Sequence, residues 1–164
     1  MEIDTSPPQH GEVAAAGGDV LAIARAWIGT PYVHQASVRG AGCDCLGLLR
    51  GVWREMRGAE PEDPPPYSPD WAEATGHETL YRALRRHLTE IEPGALAPGD
   101  IALFRMGRHG PAKHCGILGE LVLPSDVPPP PRVATLIHAR QNRRVAEEQF
   151  TQFWRGKLAH AFRL

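Results

Sequence analysis

An α+β fold, with helices first and a mainly antiparallel sheet after them, is what the order of hydrophobic patterns predicts. Three stretches before residue 90 repeat their apolar residues at three- and four-residue intervals. The segments after Pro98-Gly99-Asp100 are instead apolar-rich and β-branched, and glycine and proline turns separate them. A length of 164 residues suits one domain with a single core and leaves no room for a second of full size. The expected organisation is a flexible N-terminal arm over 1–18, then one domain over 19–164 that carries a helical insertion at 59–97.

The arm is rich in Pro, Gly, Ala and acidic residues and ends in Gly17-Gly18. Asp19 reads as an N-cap, and Val20, Leu21, Ile23, Ala24, Trp27 and Ile28 form the apolar face of a short helix that Gly29 and Thr30-Pro31 stop. Residues 33–42 form a polar loop without periodicity. It leads into Gly42-Cys43-Asp44-Cys45, after which Leu46, Leu49, Val52, Trp53 and Met56 mark one face of a helix running to about Gly58.

Five prolines between 61 and 69 make the next segment extended and stiff. A short piece begins at Trp71. Leu80, Tyr81, Leu84 and Leu88 then line one face of another helix, with Glu78, Arg82, Arg85 and Arg86 on the other. The insertion is expected to support the core or to act as a lid. Beyond the Pro98 turn, strands are expected at 101–104, 113–122 and 133–139, the last two joined by a stiff proline loop. A short strand at 144–147, a helical turn at 150–154 and a final strand at 157–164 follow, the last with Leu158, His160 and Phe162 on one side.

The charge balance excludes some function classes. Eighteen Lys and Arg against nineteen Asp and Glu give a net charge of −1, which argues against a nucleic-acid groove or a polybasic membrane surface. The basic run from Arg140 to Arg144 reads as a solvated turn. No stretch reaches about eighteen consecutive apolar residues, and the N-terminus has no secretory pattern, so neither membrane insertion nor a signal peptide is expected. The chain is expected to be made in the cytoplasm. Three cysteines leave at least one thiol free.

The chemistry points to Cys45. A thiol at a helix N-terminus meets unpaired N–H groups and a partial positive charge, which favour the thiolate and can hold a developing oxyanion. A cysteine nucleophile needs a base and a group that orients the base. Of eight histidines, His10, His34, His77, His87 and His109 sit in loops or on the insertion and read as surface residues. His114 and His138 sit in expected strands of one hairpin and can share a face. The rival reading is a zinc site drawn from Cys43, Cys45, His114, Cys115 and His138. Its spacing is poor, because Cys43-x-Cys45 is a tight step and the adjacent residues His114 and Cys115 point to opposite faces of a strand. No metal and no cofactor is expected. Cys43 and Cys115 then read as buried thiols.

Taken in order, five motifs resemble the NlpC-type papain-like cysteine peptidases that cut bacterial cell-wall peptides. They are Ile28-Gly29-Thr30-Pro31-Tyr32, Asp44-Cys45-x-Gly47, Pro98-Gly99-Asp100-Ile101, His114-x-Gly116-Ile117 and Ile137-His138-Ala139. The resemblance spans 19–164. It implies a papain-like fold, Cys45 as nucleophile, His114 as general base and then acid, and His138 as the residue that orients His114. It also implies Tyr32 and Asp44 at the substrate or oxyanion site, and peptidoglycan stem peptides as substrate, with the γ-D-glutamyl–diaminopimelate bond as target. Many members carry Ser after the nucleophile where this chain has Leu46, so the substrate contact of that Ser does not carry across. The wording from Tyr32 to Gly47 and from Pro111 to Leu118 is similar to the branch encoded among tail genes of phages and gene transfer agents. That likeness implies tail-tip or baseplate partners and delivery to the periplasm or cell wall. A structural tail component without turnover, and an amidase or acyltransferase of the same fold, are the alternatives.

Overall fold

The first apolar stripe forms helix α1 (residues 19–26), and Asp19 is already helical rather than capping it. Trp27 closes the helix in a turn and is buried, whereas Ile28 points outward, off the predicted face. Gly29, at φ 91°, makes the exit that only glycine adopts without strain. The computed structural model describes residues 19–68 and 76–164; the expected arm over 1–18 and the short piece beginning at Trp71 lie outside the described residues.

The loop expected at 33–42 instead contains a small hairpin, in which β1 (Ser37–Val38) pairs antiparallel with β2 (Gly42–Cys43). Two-residue strands are too short to show alternation, so no pattern announces them. Helix α2 (Cys45–Arg57) follows as expected, and Gly58 at φ 84° ends it. Its buried line is Leu48, Leu49 and Val52 with Gly47 and Gly51, while Leu46, Trp53 and Met56 are only half-buried. The glycines explain the rotation. A Cβ on Gly47 would lie 1.9 Å from the Ala36 carbonyl oxygen, and one on Gly51 would lie 1.9 Å from Trp27 Cζ2. The helix therefore beds its glycine side against backbone and an indole ring, which a search for apolar side chains cannot see.

Residues 61–68 run without regular structure. Helix α3 (Thr79–His87) then buries Leu80 and Leu84 in the core as predicted. The remainder of the expected helical insertion is not helical throughout, because β3 (Thr89–Ile91) is an edge strand of the main sheet and Pro93–Ala95 is a single 3₁₀ turn.

Five more strands complete the sheet: β4 (Ile101–Phe104), β5 (His114–Val122), β6 (Arg132–His138), β7 (Ala146–Gln149) and, after the short helix α4 (Gln152–Lys157), β8 (Leu158–Arg163). Their order is β3-β8-β4-β5-β6-β7 and every neighbouring pair is antiparallel. Leu103, Cys115, Ile117, Ile137 and Phe162 pack with the residues of α1, α2 and α3, and the opposite face, with Ala102, Phe104, Leu118 and Leu136, is covered by Phe150 and Trp154. A register shift between Leu103 and Phe104 puts Leu158 opposite Phe104 and His160 opposite Leu103. Leu158 therefore joins the Trp154 side while His160 and Phe162 face the helices, which corrects the expected single-sided pattern.

Candidate active site

Cys45 is the first residue of α2, and the residue before it builds the helix end. The Asp44 carboxylate accepts the Gly47 N–H at 2.7 Å through Oδ1, and through Oδ2 it accepts the Gln35 N–H at 2.8 Å and the Tyr67 hydroxyl at 2.5 Å. Only 2% of Asp44 is exposed, so this short acceptor does the work of an N-cap in full. The first-turn amides of Cys45 and Leu46 have no intrahelical acceptor and remain beside the thiol. Expected at the substrate or oxyanion site, Asp44 does line the cavity, but its oxygens serve the cap. Being negative, it cannot stabilise an oxyanion itself.

The tip of α2 meets the start of β5. Cys45 Sγ lies 3.9 Å from the Lys113 carbonyl oxygen, and Cys115 Sγ lies 3.3 Å from the Cys45 carbonyl oxygen. The Cys45 thiol is held well below its ordinary range. A hydrogen bond from Cys115 contributes most, and a hydrogen bond and positive charge from His114 add to it against the opposing effect of burial. Cys115, the donor and itself buried, is pushed up for the same reason. Cys43 is pushed up to about 12 by burial, with the charges of Asp44 and Cys45 adding to it. Cys43 and Cys115 are both the buried thiols expected, and Cys115 in addition touches the nucleophile candidate. Strand alternation could have found it, since a residue beside His114 must face the opposite, helix-covered side.

The two strand histidines do meet. His114 Nε2 lies 2.8 Å from His138 Nδ1. They are diagonal rather than directly opposed, because the β5–β6 register, which pairs Ile117 with Ile137, places His138 across from Gly116. A Cβ at Gly116 would come within 3.1 Å of the His138 Cβ, so a glycine there leaves His138 room to lean toward His114. Trp154 stacks on His114 at 5.5 Å between ring centroids and meets the His138 ring edge-to-face at 4.8 Å. His138 is 1% exposed, and burial together with the charge of His114 lowers its pKa to about 4, so it is neutral near pH 7. Its other nitrogen, Nε2, lies 3.0 Å from Glu148 Oε1, a partner that sequence reasoning missed.

A cavity of ≈350 Å³ opens over the thiol. Its walls include Tyr32, His34, Tyr67, His114, Arg140 and Trp154. Burial, with the charges of Asp44 and Cys45, raises the Tyr32 phenol to about 12, so it stays a neutral hydroxyl beside the sulfur. Tyr67 and Ser68, from the extended part of the 59–97 segment, border the cavity, whereas α3 packs in the core. His34, expected to be a surface histidine, lines the wall instead, with Nε2 2.6 Å from the Tyr67 carbonyl oxygen. The basic run also differs from a free turn: Arg144 donates to the Gly29 carbonyl at 2.8 Å and Arg140 to Glu148 at 3.1 Å. Among the described residues, no group of three or more His, Cys, Asp or Glu side chains is arranged to hold a metal ion. A polarised thiol, an imidazole beside it and N–H donors at the same point together suit acyl transfer through a covalent thioester.

Comparison with known proteins agrees at the level of fold. No protein-family model and no curated protein matches the chain. Among solved structures, it resembles the NlpC/p60 domain of the peptidoglycan hydrolase SagA, at 21% identity and a TM-score of 0.55 over 90% of this chain and 98% of that one. It also resembles a protein described as similar to a lipoprotein of the NLP/P60 family from Staphylococcus aureus subsp. aureus Mu50, at 19% identity and a TM-score of 0.52 over 98% of this chain and 44% of that one. NlpC2 from Trichomonas vaginalis matches at 19% identity and a TM-score of 0.56, over 90% of this chain and 46% of that one. The chain thus spans nearly all of the first and less than half of the other two. The α+β fold is the one shared with these NlpC/p60 structures.

Proposed function

We propose that the protein is a cysteine peptidase that hydrolyses peptide stems of bacterial peptidoglycan. The observation that carries this reading is the place of Cys45 at the N-terminus of α2, on one cavity wall with His114 and with His138 hydrogen-bonded behind His114; the lowered proton affinity of the thiol agrees with it. In the proposed reaction the Cys45 thiolate adds to the amide carbonyl, and the Cys45 N–H and the Tyr32 hydroxyl hold the oxyanion. Protonated His114 gives its proton to the leaving amine as the C–N bond breaks, leaving a thioester. His114 then takes a proton from water, the hydroxide adds to the thioester, and thiolate and carboxylic acid separate. A positioned histidine contributes roughly 10²–10⁴ in rate.

The resemblance in motif wording extends the proposal to the γ-D-glutamyl–diaminopimelate bond and to a tail-tip or baseplate protein that carries the enzyme to the cell wall. The likeness to the peptidoglycan-hydrolase domain supports the substrate class. Purified muropeptides incubated with the protein and resolved by mass spectrometry test both substrate and bond. Cleavage is expected to stop with Cys45→Ala; an unchanged digest with that variant refutes the mechanism, and a product cut elsewhere refutes the bond.

A further inference from the structure

Beyond the cysteine and the two histidines, a fourth side chain has a defined place in the line. Cys45, His114, His138 and Glu148 follow one another, and the last two links measure 2.8 Å and 3.0 Å. We infer that Glu148 is a positioning residue that locks His138 in the Nε2–H tautomer, so that His138 can only accept a proton-bearing nitrogen of His114 and leaves His114 Nδ1 to exchange a proton with Cys45. The inference rests on the cysteine-peptidase reading for its functional consequence, but not for the tautomer itself.

A neutral imidazole carries one N–H and one bare nitrogen, and an ionised carboxylate can only accept. Glu148 Oε1 therefore requires the His138 proton on Nε2. Nδ1 of His138 is then a lone pair, so the facing Nε2 of His114 must carry a proton. The remaining nitrogen of His114, Nδ1, is left for the thiol. If His138 held its proton on Nδ1 instead, His114 would present a bare Nε2 to it. Its own proton would sit on Nδ1, where it cannot take one from sulfur. His138 is 1% exposed, so in the folded protein its Nε2 has the carboxylate rather than bulk water as its partner.

Glu148 is itself fixed from two further directions. Trp154 Nε1 donates to Oε1 at 3.0 Å and Arg140 Nη2 donates to Oε2 at 3.1 Å. Burial works against the charge, but His138, Trp154 and Arg140 outweigh it and hold the Glu148 carboxyl below the usual carboxylate range. The ionisable groups around His138 are His114 and Glu148, with Arg140, Arg143 and Arg144 lining the cavity that His138 and Glu148 share. The same tryptophan that covers both imidazoles also aims the carboxylate.

Nitrogen-15 NMR of the wild-type protein reads the tautomer without any substitution: His138 is expected as Nε2–H near pH 7, and an Nδ1–H signal overturns the inference. Glu148→Ala is expected to move the pH profile of Cys45 alkylation by iodoacetamide toward that of an ordinary thiol. It should also lower kcat for muropeptide cleavage by about 10²-fold at unchanged KM. Glu148→Gln, whose amide oxygen can accept the same proton, is expected to recover most of both. If the alkylation profile of Glu148→Ala equals that of the wild type, Glu148 serves packing alone. Alkylation and NMR require no substrate, so a protein that cuts no muropeptide refutes the proposed function and leaves this test standing.

Discussion

Three thiols a few residues or one strand apart hold their protons with very different strength, and each difference has a local cause. Burial and neighbouring negative charge raise Cys43, donation to Cys45 and burial raise Cys115, and the two hydrogen bonds at its sulfur lower Cys45. At pH 6.5, limiting iodoacetamide is therefore expected to label Cys45 alone, read by peptide mass spectrometry; equal labelling of all three contradicts the assignment. His138 gives a second residue-level expectation. Its folded pKa of about 4 lies below the ordinary 6.5, so between those values the unfolded chain binds more protons than the folded one. The stabilising contribution is complete above about pH 6.5 and is lost as pH falls through about 4. Urea midpoints measured from pH 7 to pH 4 should drop across this window, and more shallowly in His138→Gln.

At the scale of elements, α2 carries the nucleophile candidate and owes its depth to glycine rather than to large side chains. Gly51→Ala would place a methyl group 1.9 Å from the Trp27 ring, which has to shift, along with the Trp27 Nε1 hydrogen bond to Glu55 at 3.0 Å. A loss of about 2–3 kcal/mol is expected by denaturant unfolding, with a smaller effect for Ala at exposed Gly94, which has open space. Leu46 belongs to the same element. It lines the contact of α2 with α3 alongside Leu49, Trp53, Leu80 and Leu84, and it is absent from the walls of the cavity over Cys45. This chain thus uses the position after the cysteine for packing, and Leu46→Ser is expected to cost about 1–2 kcal/mol of stability.

For the molecule as a whole, the site exists only where two layers and distant parts of the chain converge. Gly29, Tyr32 and Val145 exchange backbone hydrogen bonds with Val145, Arg143 and Thr30, tying the segment that carries Tyr32 to the strand side that carries Glu148. On the other flank, the last strand enters between β3 and β4, and Arg163 grips Asp100 with two hydrogen bonds of 2.8 and 2.7 Å. Asp100 is 3% exposed, so Arg163→Ala leaves a buried carboxylate with its cation removed. A loss of about 3 kcal/mol is expected, seen as a lower melting temperature together with slower Cys45 alkylation only near the transition.

Long periodic elements were legible in the sequence: α2 from its apolar repeat and glycine-rich entry, and β5 and β6 from their β-branched content on either side of a proline loop. The place of Cys45 at the start of α2 and the meeting of His114 with His138 were legible too, because an apolar repeat marks where the helix begins and because strands restrict facing. The hairpin of β1 and β2 and the edge strand β3 were not, since two or three residues cannot display a period. Tyr67 and Glu148 escaped for a different reason. Nothing in a tyrosine within a proline-rich segment, or in a glutamate four residues past a basic run, marks it as a partner of Asp44 or His138. By itself the sequence determined the class of fold and the residue types available for chemistry, because both follow from local pattern and side-chain identity. Only the tertiary structure decided which neighbours act on the Cys45 thiol, which face of α2 is buried and which carboxylate ends the hydrogen-bonded line, because those depend on register, burial and distances between segments far apart in the chain.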